Sequence, residues 1–321
     1  MSPLISHTEN SIDDLLRSTF EALNEHGESI SPTRGPASEL RGVRLELTDP
    51  RSRLSRSHTR GKVFSCLGEL IWYLAGSSSA EHIGFYVGAY RDEAEPDGTV
   101  HAAYGHRLFP AGRLKSAIGT LETKPDSRQA VVPLLDFGDL ERGTGHVPCT
   151  STIQFMLRDG RVDAVVYMRS NDAFLGLPHD IFAFTMLQEL VCRSVGAELG
   201  TYVHMVGSLH LYDEHSSRTN DFLNEGYSSF RPMPEMPLGD PWDSVRSIVA
   251  AERAIREGES IDADAVGSPY WADLVRLLRI YALTKQRGMD AITDIEQIRK
   301  SMSCDLYDVF LNDRFDPLED D

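Results

Sequence analysis

Lysine is scarce in this chain. Five lysines stand against 27 arginines and 49 acidic residues, for a formal net charge of −17 over 321 residues. That balance excludes wholesale binding to a nucleic-acid backbone and leaves a small anion held by a local arginine cluster. The arginine bias suggests a GC-rich genome and carries no chemistry. Cysteine is also sparse: Cys66, Cys149, Cys192 and Cys304 are widely spaced with no CxxC pair, which excludes a disulfide framework and a structural zinc site. No run approaches the roughly 18 apolar residues of a membrane span. The opening MSPLISHTENSIDDLL lacks the basic and apolar regions of a secretory leader. A cytoplasmic protein with free thiols is expected, with no metal, no membrane and no nucleic acid among its partners. No internal repeat is visible.

The hydrophobic content of 41% suffices for one large domain or two ordinary ones. Residues 10 to 26 read as an opening helix. A loop, ESISPTRGPASELRG, leads to the strand-like VRLEL and a basic, polar loop through Arg60. KVFSCLGELIWYLAG has Val63, Phe64, Leu67, Leu70, Ile71 and Leu74 on one helical face, with Glu69 on the opposite face near Trp72 and Tyr73. STIQFMLRDGRVDAVVYMRS predicts a β-hairpin turning at Asp159-Gly160. DIFAFTMLQELVCRSVG predicts a buried helix and TYVHMVGSLHLY another strand. The Pro-rich RPMPEMP marks a boundary, followed by three amphipathic helices and an acidic tail. The order suggests an α+β fold.

Cys149, in HVPCTS, has two readings: a buried structural cysteine, the commoner role of a single Cys, or a nucleophile whose pKa nearby cations lower. Glu69 beside two large aromatics favours a desolvated carboxyl with a raised pKa over a surface glutamate. HLYDEH has no metal-ligand spacing.

Several ordered motifs carry a resemblance. VPCTS, the hairpin, RSNDAFLGLP, GSLHLY, GELIWYLAGS, YGHRL, PDSRQA and RPMPEMP together resemble the thymidylate synthase family over roughly residues 15 to 235. The resemblance implies a three-layer fold with a mixed sheet at a homodimer interface. It places a catalytic domain at 1 to 235 and a helical extension at 236 to 321. Cys149 is then the nucleophile that adds to C6 of a pyrimidine nucleoside monophosphate. Glu69 handles protons and orders water, with Tyr104 and Asp180 also at the catalytic centre. Arg34, Arg169, Ser170 and, from the other subunit, Arg128 bind the phosphate, and Arg169 helps keep Cys149 ionised. Asp172 joins the substrate ligands, and His210 and Tyr212 bind the sugar. Tyr90, Asp172 and Gly176 face 5,10-methylenetetrahydrofolate, the co-substrate. Four features depart from the family pattern: Gln129 for the second arginine of the phosphate motif, Thr150 after the nucleophile, Glu93 for an aromatic, and no recognisable closing C-terminal segment.

The telling departure ends the loop RSNDAFLGLPHD. Where thymidylate synthases carry the asparagine that reads uracil, this chain has Asp180. A helix cap does not explain the change, because Asn caps as well as Asp. A carboxylate only accepts hydrogen bonds, so it repels uracil O4 and suits the 4-amino group of cytosine. As Cys149 adds, N3 becomes protonated and gives Asp180 a further donor. Within the family the Asn-to-Asp change marks the cytidylate hydroxymethylases. The expected activity is 5-hydroxymethylation of CMP or dCMP, in an antibiotic pathway rather than a phage. The alternatives are reductive methylation of dUMP or dCMP and, from another class, a non-catalytic nucleotide- or RNA-binding relative, which intact Cys149, Glu69, Arg169 and Asp172 argue against.

Overall fold

The computed structural model describes residues 5–110, 112–141 and 147–312; the acidic tail expected at the C-terminus lies outside them. The strands are β1 (Ser6–Glu9), β2 (Glu28–Ile30), β3 (Ala37–Leu47), β4 (Val131–Pro133), β5 (Thr150–Arg158), β6 (Arg161–Asp172) and β7 (Glu198–Tyr212). The helices are α1 (Ile12–His26), α2 (Val63–Leu74), α3 (Ala80–Gly84), α4 (Tyr104–Leu108), α5 (Arg113–Thr123), α6 (Phe137–Glu141), α7 (Gly176–Val195), α8 (Ser216–Asn224), α9 (Trp242–Arg256), α10 (Pro269–Arg287), α11 (Ile292–Lys300) and α12 (Asp308–Asn312).

The strands form one mixed sheet in the order β1-β3-β7-β6-β5-β4, with β2 on the side of β3. The expected α+β class and mixed sheet are what the chain adopts. The β5–β6 hairpin turns where expected: Asp159 (φ 48°) and Gly160 (φ 73°) both take the left-handed conformation a tight two-residue turn requires. β6 and β7 run parallel, so α7 must cross between them. Its apolar residues Ile181, Phe184, Leu187 and Val191 are buried, and a left-handed Gly196 ends it. On the opposite sheet face Tyr167 and Met205 stay 43% and 39% exposed.

Three sequence readings are corrected. The segment read as a long loop before VRLEL contains β2 and the first half of β3. Ala37 to Arg41 pair with Tyr212 to Ser208, so partner strands override a composition rich in turn formers. α2 has no polar face: Glu69, Trp72 and Tyr73 are as buried as its apolar stripe, because α7 packs on it from one direction and α9 and α10 from another. α7 starts at Gly176, four residues before the Asp180 start expected, because Asp172 Oδ1 accepts the N–H groups of Phe174 and Leu175 and organises the entry.

The helices beyond residue 236 share one continuous hydrophobic cluster with the sheet and α2. Tyr281 stacks on Phe64 and Tyr86, and its hydroxyl donates to the Phe85 carbonyl at 2.8 Å. Glu252 accepts from Tyr86 at 3.0 Å and from Arg256 at 2.9 Å, and pairs with His82 at 3.2 Å. The Pro-rich segment between them is pinned: Glu189 accepts the Met236 N–H, and Arg193 donates to the Met236 carbonyl. No helix among the described residues is long and apolar enough to cross a membrane.

The approach of α4 to α2 depends on Gly105. A Cβ there would lie 2.5 Å from the Tyr73 carbonyl oxygen and 2.6 Å from its Cα, both backbone atoms that cannot swing aside. Gly105→Ala is therefore expected to lower unfolding free energy by about 1–3 kcal/mol. Urea denaturation followed by circular dichroism measures it, and a midpoint equal to wild type would refute the tight approach.

Candidate active site

Cys149 sits at the start of β5, half-buried and free. Arg169 on β6 runs alongside it. The Arg169 N–H donates to the Cys149 carbonyl at 2.8 Å, and its guanidinium donates to the carbonyls of Pro148 (3.0 Å) and Val147 (2.7 Å) and lies 3.8 Å from Sγ. Those bonds fix the cation beside the sulfur. Even so, burial pushes the Cys149 thiol up; Arg169 and Arg34 pull the other way, and Asp180 and Glu93 add to the rise. Arg169 acts in the expected direction, toward an ionised cysteine, but does not outweigh burial in this chain alone. One guanidinium does not offset desolvation plus two acids, and Arg34 is engaged by Glu93 at 2.6 Å.

Tyr104, at the start of α4, accepts the N–H of Thr150, the residue after Cys149, at 3.1 Å. Its ring stacks on Phe184 of α7 at 6.0 Å, so α4 and α7 together hold the strand that carries Cys149.

Glu69 is buried, and its Oε1 accepts from Tyr73 at 2.8 Å and from Tyr90 at 2.6 Å. Burial raises its pKa, the two hydroxyls lower it, and Glu93 raises it. Tyr90, read from sequence as an aromatic facing folate, also grips Glu69, while its ring packs on Trp72 at 5.3 Å.

Asp180 lies one turn inside α7, so its side chain caps nothing. Its Oδ2 accepts from Asn171 Nδ2 at 2.8 Å. Burial, then the nearby Glu69, lifts the carboxyl well above the ordinary carboxylate range, and the Asn171 bond opposes the rise. Burial beside Glu69 thus disfavours the ionised form that the sequence reading assumed. Asn171 Oδ1 meets His204 Nε2 at 3.0 Å, and His204 Nδ1 meets the Tyr202 hydroxyl at 2.7 Å. Burial drives the His204 pKa down to about 3, so the ring is neutral.

The remaining predicted residues divide. Asp172 lies across from His210 in the β6–β7 register, and Ser170 from Ser208. His210 packs edge-on to Tyr212 at 5.0 Å. Burial raises the Tyr212 pKa, which Arg34 lowers and Asp172 and Cys149 raise, as expected of neighbours around one pocket. A Cβ on Gly176 would come within 3.0 Å of Asn171 Nδ2 and 3.4 Å of Asp180 Oδ2, so glycine keeps open the space over those groups. Arg128 stands apart: it is exposed, and its carbonyl accepts from Gln154, five residues along β5 from Cys149 and so about 17 Å away. It does not join the site of its own chain.

Sequence reading missed Tyr73, Glu93, Asn171, Tyr202 and His204. Asn171 sits inside the quoted RSNDAFLGLP motif, and His204 alternates with apolar residues inward on β7; both were visible as polar residues at core positions.

A family model described as thymidylate synthase matches residues 51–255. Among curated relatives, the deoxyuridylate hydroxymethyltransferase of Delftia phage PhiW-14 is 31% identical over 224 residues, 65% of this chain and 62% of the relative. The chain thus spans less than two thirds of the length of that relative.

Tyr90→Phe removes a hydrogen bond that favours ionised Glu69. Its pKa is expected to rise by about one unit, moving the limb of the kcat/KM profile that Glu69 controls to higher pH. A profile superimposable on wild type would show that the 2.6 Å contact does not tune Glu69.

Proposed function

The chain belongs to the thymidylate synthase family, and from that premise we propose that it is a cytidylate 5-hydroxymethyltransferase. When bound, 5,10-methylenetetrahydrofolate supplies a carbon at the formaldehyde oxidation level, so that nucleotide, folate and water balance as hydroxymethyl nucleotide and tetrahydrofolate. Leu175, 45% exposed at the mouth of α7, the space kept by Gly176 and the Tyr90–Trp72 pair suit a flat heteroaromatic ring. Asp172 is the polar ligand we assign beside it.

Cys149 gives its proton to solvent and its sulfur bonds to C6 of the base as the C5–C6 π pair moves onto C5, making it nucleophilic; once C5 has lost its own proton and water has added to its new substituent, the C6–S bond breaks and the thiolate returns. Arg169 and Ser170 hold the phosphate, with Arg34 after release from Glu93; a dianion competes with that carboxylate on favourable terms. The phosphate also brings nucleotide and thiol together while Arg169 stabilises the forming thiolate. His210 and Tyr212 hold the sugar. Glu69, polarised by two tyrosines, orders the water that adds to the C5 substituent.

The observation that carries the base assignment is Asp180, a buried carboxyl close to Glu69 that Asn171 anchors through Oδ2. A neutral carboxyl donates O–H to cytosine N3 and accepts from the 4-amino group. When sulfur adds to C6, N3 gains basicity and takes the proton outright, leaving a carboxylate against a protonated amidine. An amide at this position has no proton to give. The support for hydroxymethylation over reductive methylation is the activity that names the phage relative, a deoxyuridylate hydroxymethyltransferase. Within the branch, the arginine-rich composition favours an antibiotic-pathway enzyme resembling the CMP hydroxymethylase of mildiomycin biosynthesis. We assign residues 1 to 235 to the catalytic domain and 236 to 321 to an extension that buttresses α2, and expect cytoplasmic location.

The relative's name favours a second reading, uridylate hydroxymethylation. A neutral Asp180 also donates to O4 and accepts from N3–H, as an asparagine would. Cytosine is preferred because its N3 is far more basic than O4 and completes the proton transfer.

Mass spectrometry of products from CMP, dCMP and dUMP with methylenetetrahydrofolate decides the matter. A hydroxymethyl adduct on cytidylate, without dihydrofolate, is expected. Asp180→Asn should lower that turnover by about 10- to 150-fold and open uridylate. Product on dUMP alone would establish the second reading, and a methyl product would overturn both.

We further propose a homodimer across the sheet face bearing Tyr167 and Met205, with Arg128 entering the partner's site. Cys149→Ser and Arg128→Ala are each expected to be inactive or nearly so, and mixing them should restore up to about a quarter of wild-type activity, since one wild-type-like site forms per mixed dimer. Mixed dimers demonstrated by tagged pull-down yet no more active than either variant would refute the shared site.

A further inference from the structure

The buried face of β6 and β7 carries three polar side chains in a row, Asn171, His204 and Tyr202, where the surrounding positions are Val166, Met168 and Val206. Burying polar groups among such neighbours is costly unless each is hydrogen-bonded, and here each is bonded to the next. Tyr202 meets His204 at 2.7 Å, His204 meets Asn171 at 3.0 Å, and Asn171 meets Asp180 at 2.8 Å. His204 and Tyr202 are fully buried, and Asn171 is 3% exposed.

The chain has a direction. Asn171 Oδ1 is an acceptor, so His204 Nε2 carries the proton. The ring is neutral, so Nδ1 is bare and accepts from the Tyr202 hydroxyl. Asn171 is thereby held with its amide N–H toward Asp180. Oδ2 of Asp180 is committed as an acceptor, and Oδ1 has no partner among the described residues.

We propose that Tyr202, His204 and Asn171 are positioning residues that assign the two oxygens of Asp180. Oδ2 is fixed as the anchored acceptor, so when the carboxyl is protonated its proton belongs to Oδ1, the oxygen left for the base. Three consequences follow from the chemistry. The proton is presented in one orientation. The hydrogen bond from Asn171 stabilises the carboxylate formed once the proton has left, without offering Asp180 a competing acceptor. A reversed amide would face Oδ2 with a carbonyl, draw the proton onto that oxygen and leave Oδ1 only able to accept. The assignment rests on the reading of Asp180 as the base-recognition acid, but the chain's effect on that acid is measurable without any nucleotide.

The test uses the full-length protein in two arms. In the ligand-free arm, infrared titration follows the protonated-carboxyl C=O band that is lost in Asp180→Asn. Asn171→Ala removes a hydrogen bond to the charged form, so the midpoint of that band should move up by about one pH unit. His204→Leu should do the same by freeing the amide, while His204→Gln, which keeps an N–H for Asn171 Oδ1, should stay near wild type. In the kinetic arm, with whichever pyrimidine nucleotide the wild-type enzyme converts, Asn171→Ala and His204→Leu should lower kcat by about 10- to 100-fold with KM changed less than about threefold. The alkaline limb of kcat should shift upward with the infrared midpoint.

An unmoved infrared midpoint in Asn171→Ala and His204→Leu overturns the proposal even if activity falls, because a merely structural loss leaves Asp180 untouched. Equal defects in His204→Gln and His204→Leu, both folded by circular dichroism, also overturn it, since a donor to Asn171 would then count for nothing. A shifted midpoint with no change in kcat would sink the assignment of Asp180 as the reading acid, leaving the coupling of Asn171 to Asp180 standing.

Discussion

Two carboxyl groups withdrawn from water into one pocket set the terms for the rest of this structure. Burial raises the cost of ionising both Glu69 on α2 and Asp180 on α7; Glu93 adds to it at Glu69, and Glu69 adds to it at Asp180. Each is met by hydrogen bonds that soften the penalty without cancelling it: two tyrosine hydroxyls for Glu69, one amide for Asp180. A pocket of that kind disfavours the charged form of both acids. The α2–α7 packing that juxtaposes them is therefore the constraint the site cannot lose.

The charge balance explains how an acidic protein arranges to bind an anion. Arg169 is immobilised by backbone carbonyls beside the nucleophile, and Arg34 waits on Glu93. Desolvation wins at Cys149 in the chain alone, so the thiolate depends on cations and substrate assembled around it.

The helices after residue 236 earn a mechanical role. They stack Tyr281 on Phe64 and Tyr86 and tie Glu252 to Tyr86, His82 and Arg256, on the side of α2 away from α7. Gly68 permits this by leaving room for the Tyr86 ring, 2.1 Å from where its Cβ would stand. α2 is clamped between α7 and the added helices, so Glu69 is held from both sides and kept from water.

Much was determined by sequence alone. Alternation and an Asp-Gly turn specified the β5–β6 hairpin, helical spacing specified α1, α2, α7 and α9 to α11, and ordered motifs pointed to Cys149, Glu69, Arg169 and Asp180. These are local patterns or near neighbours in the chain, which is why they were legible. The tertiary structure decided what depends on distant partners. β3 extends into a turn-rich segment because β7 pairs with it. α2 loses its polar face because helices 170 residues later cover it. The Asp180 carboxyl is pushed up because folding buries it and α2 brings Glu69 near it, while Asn171, held by His204 of β7, opposes the rise. Protonation follows the field and desolvation at a point in space, and sequence spacing carries neither quantity until the chain has folded.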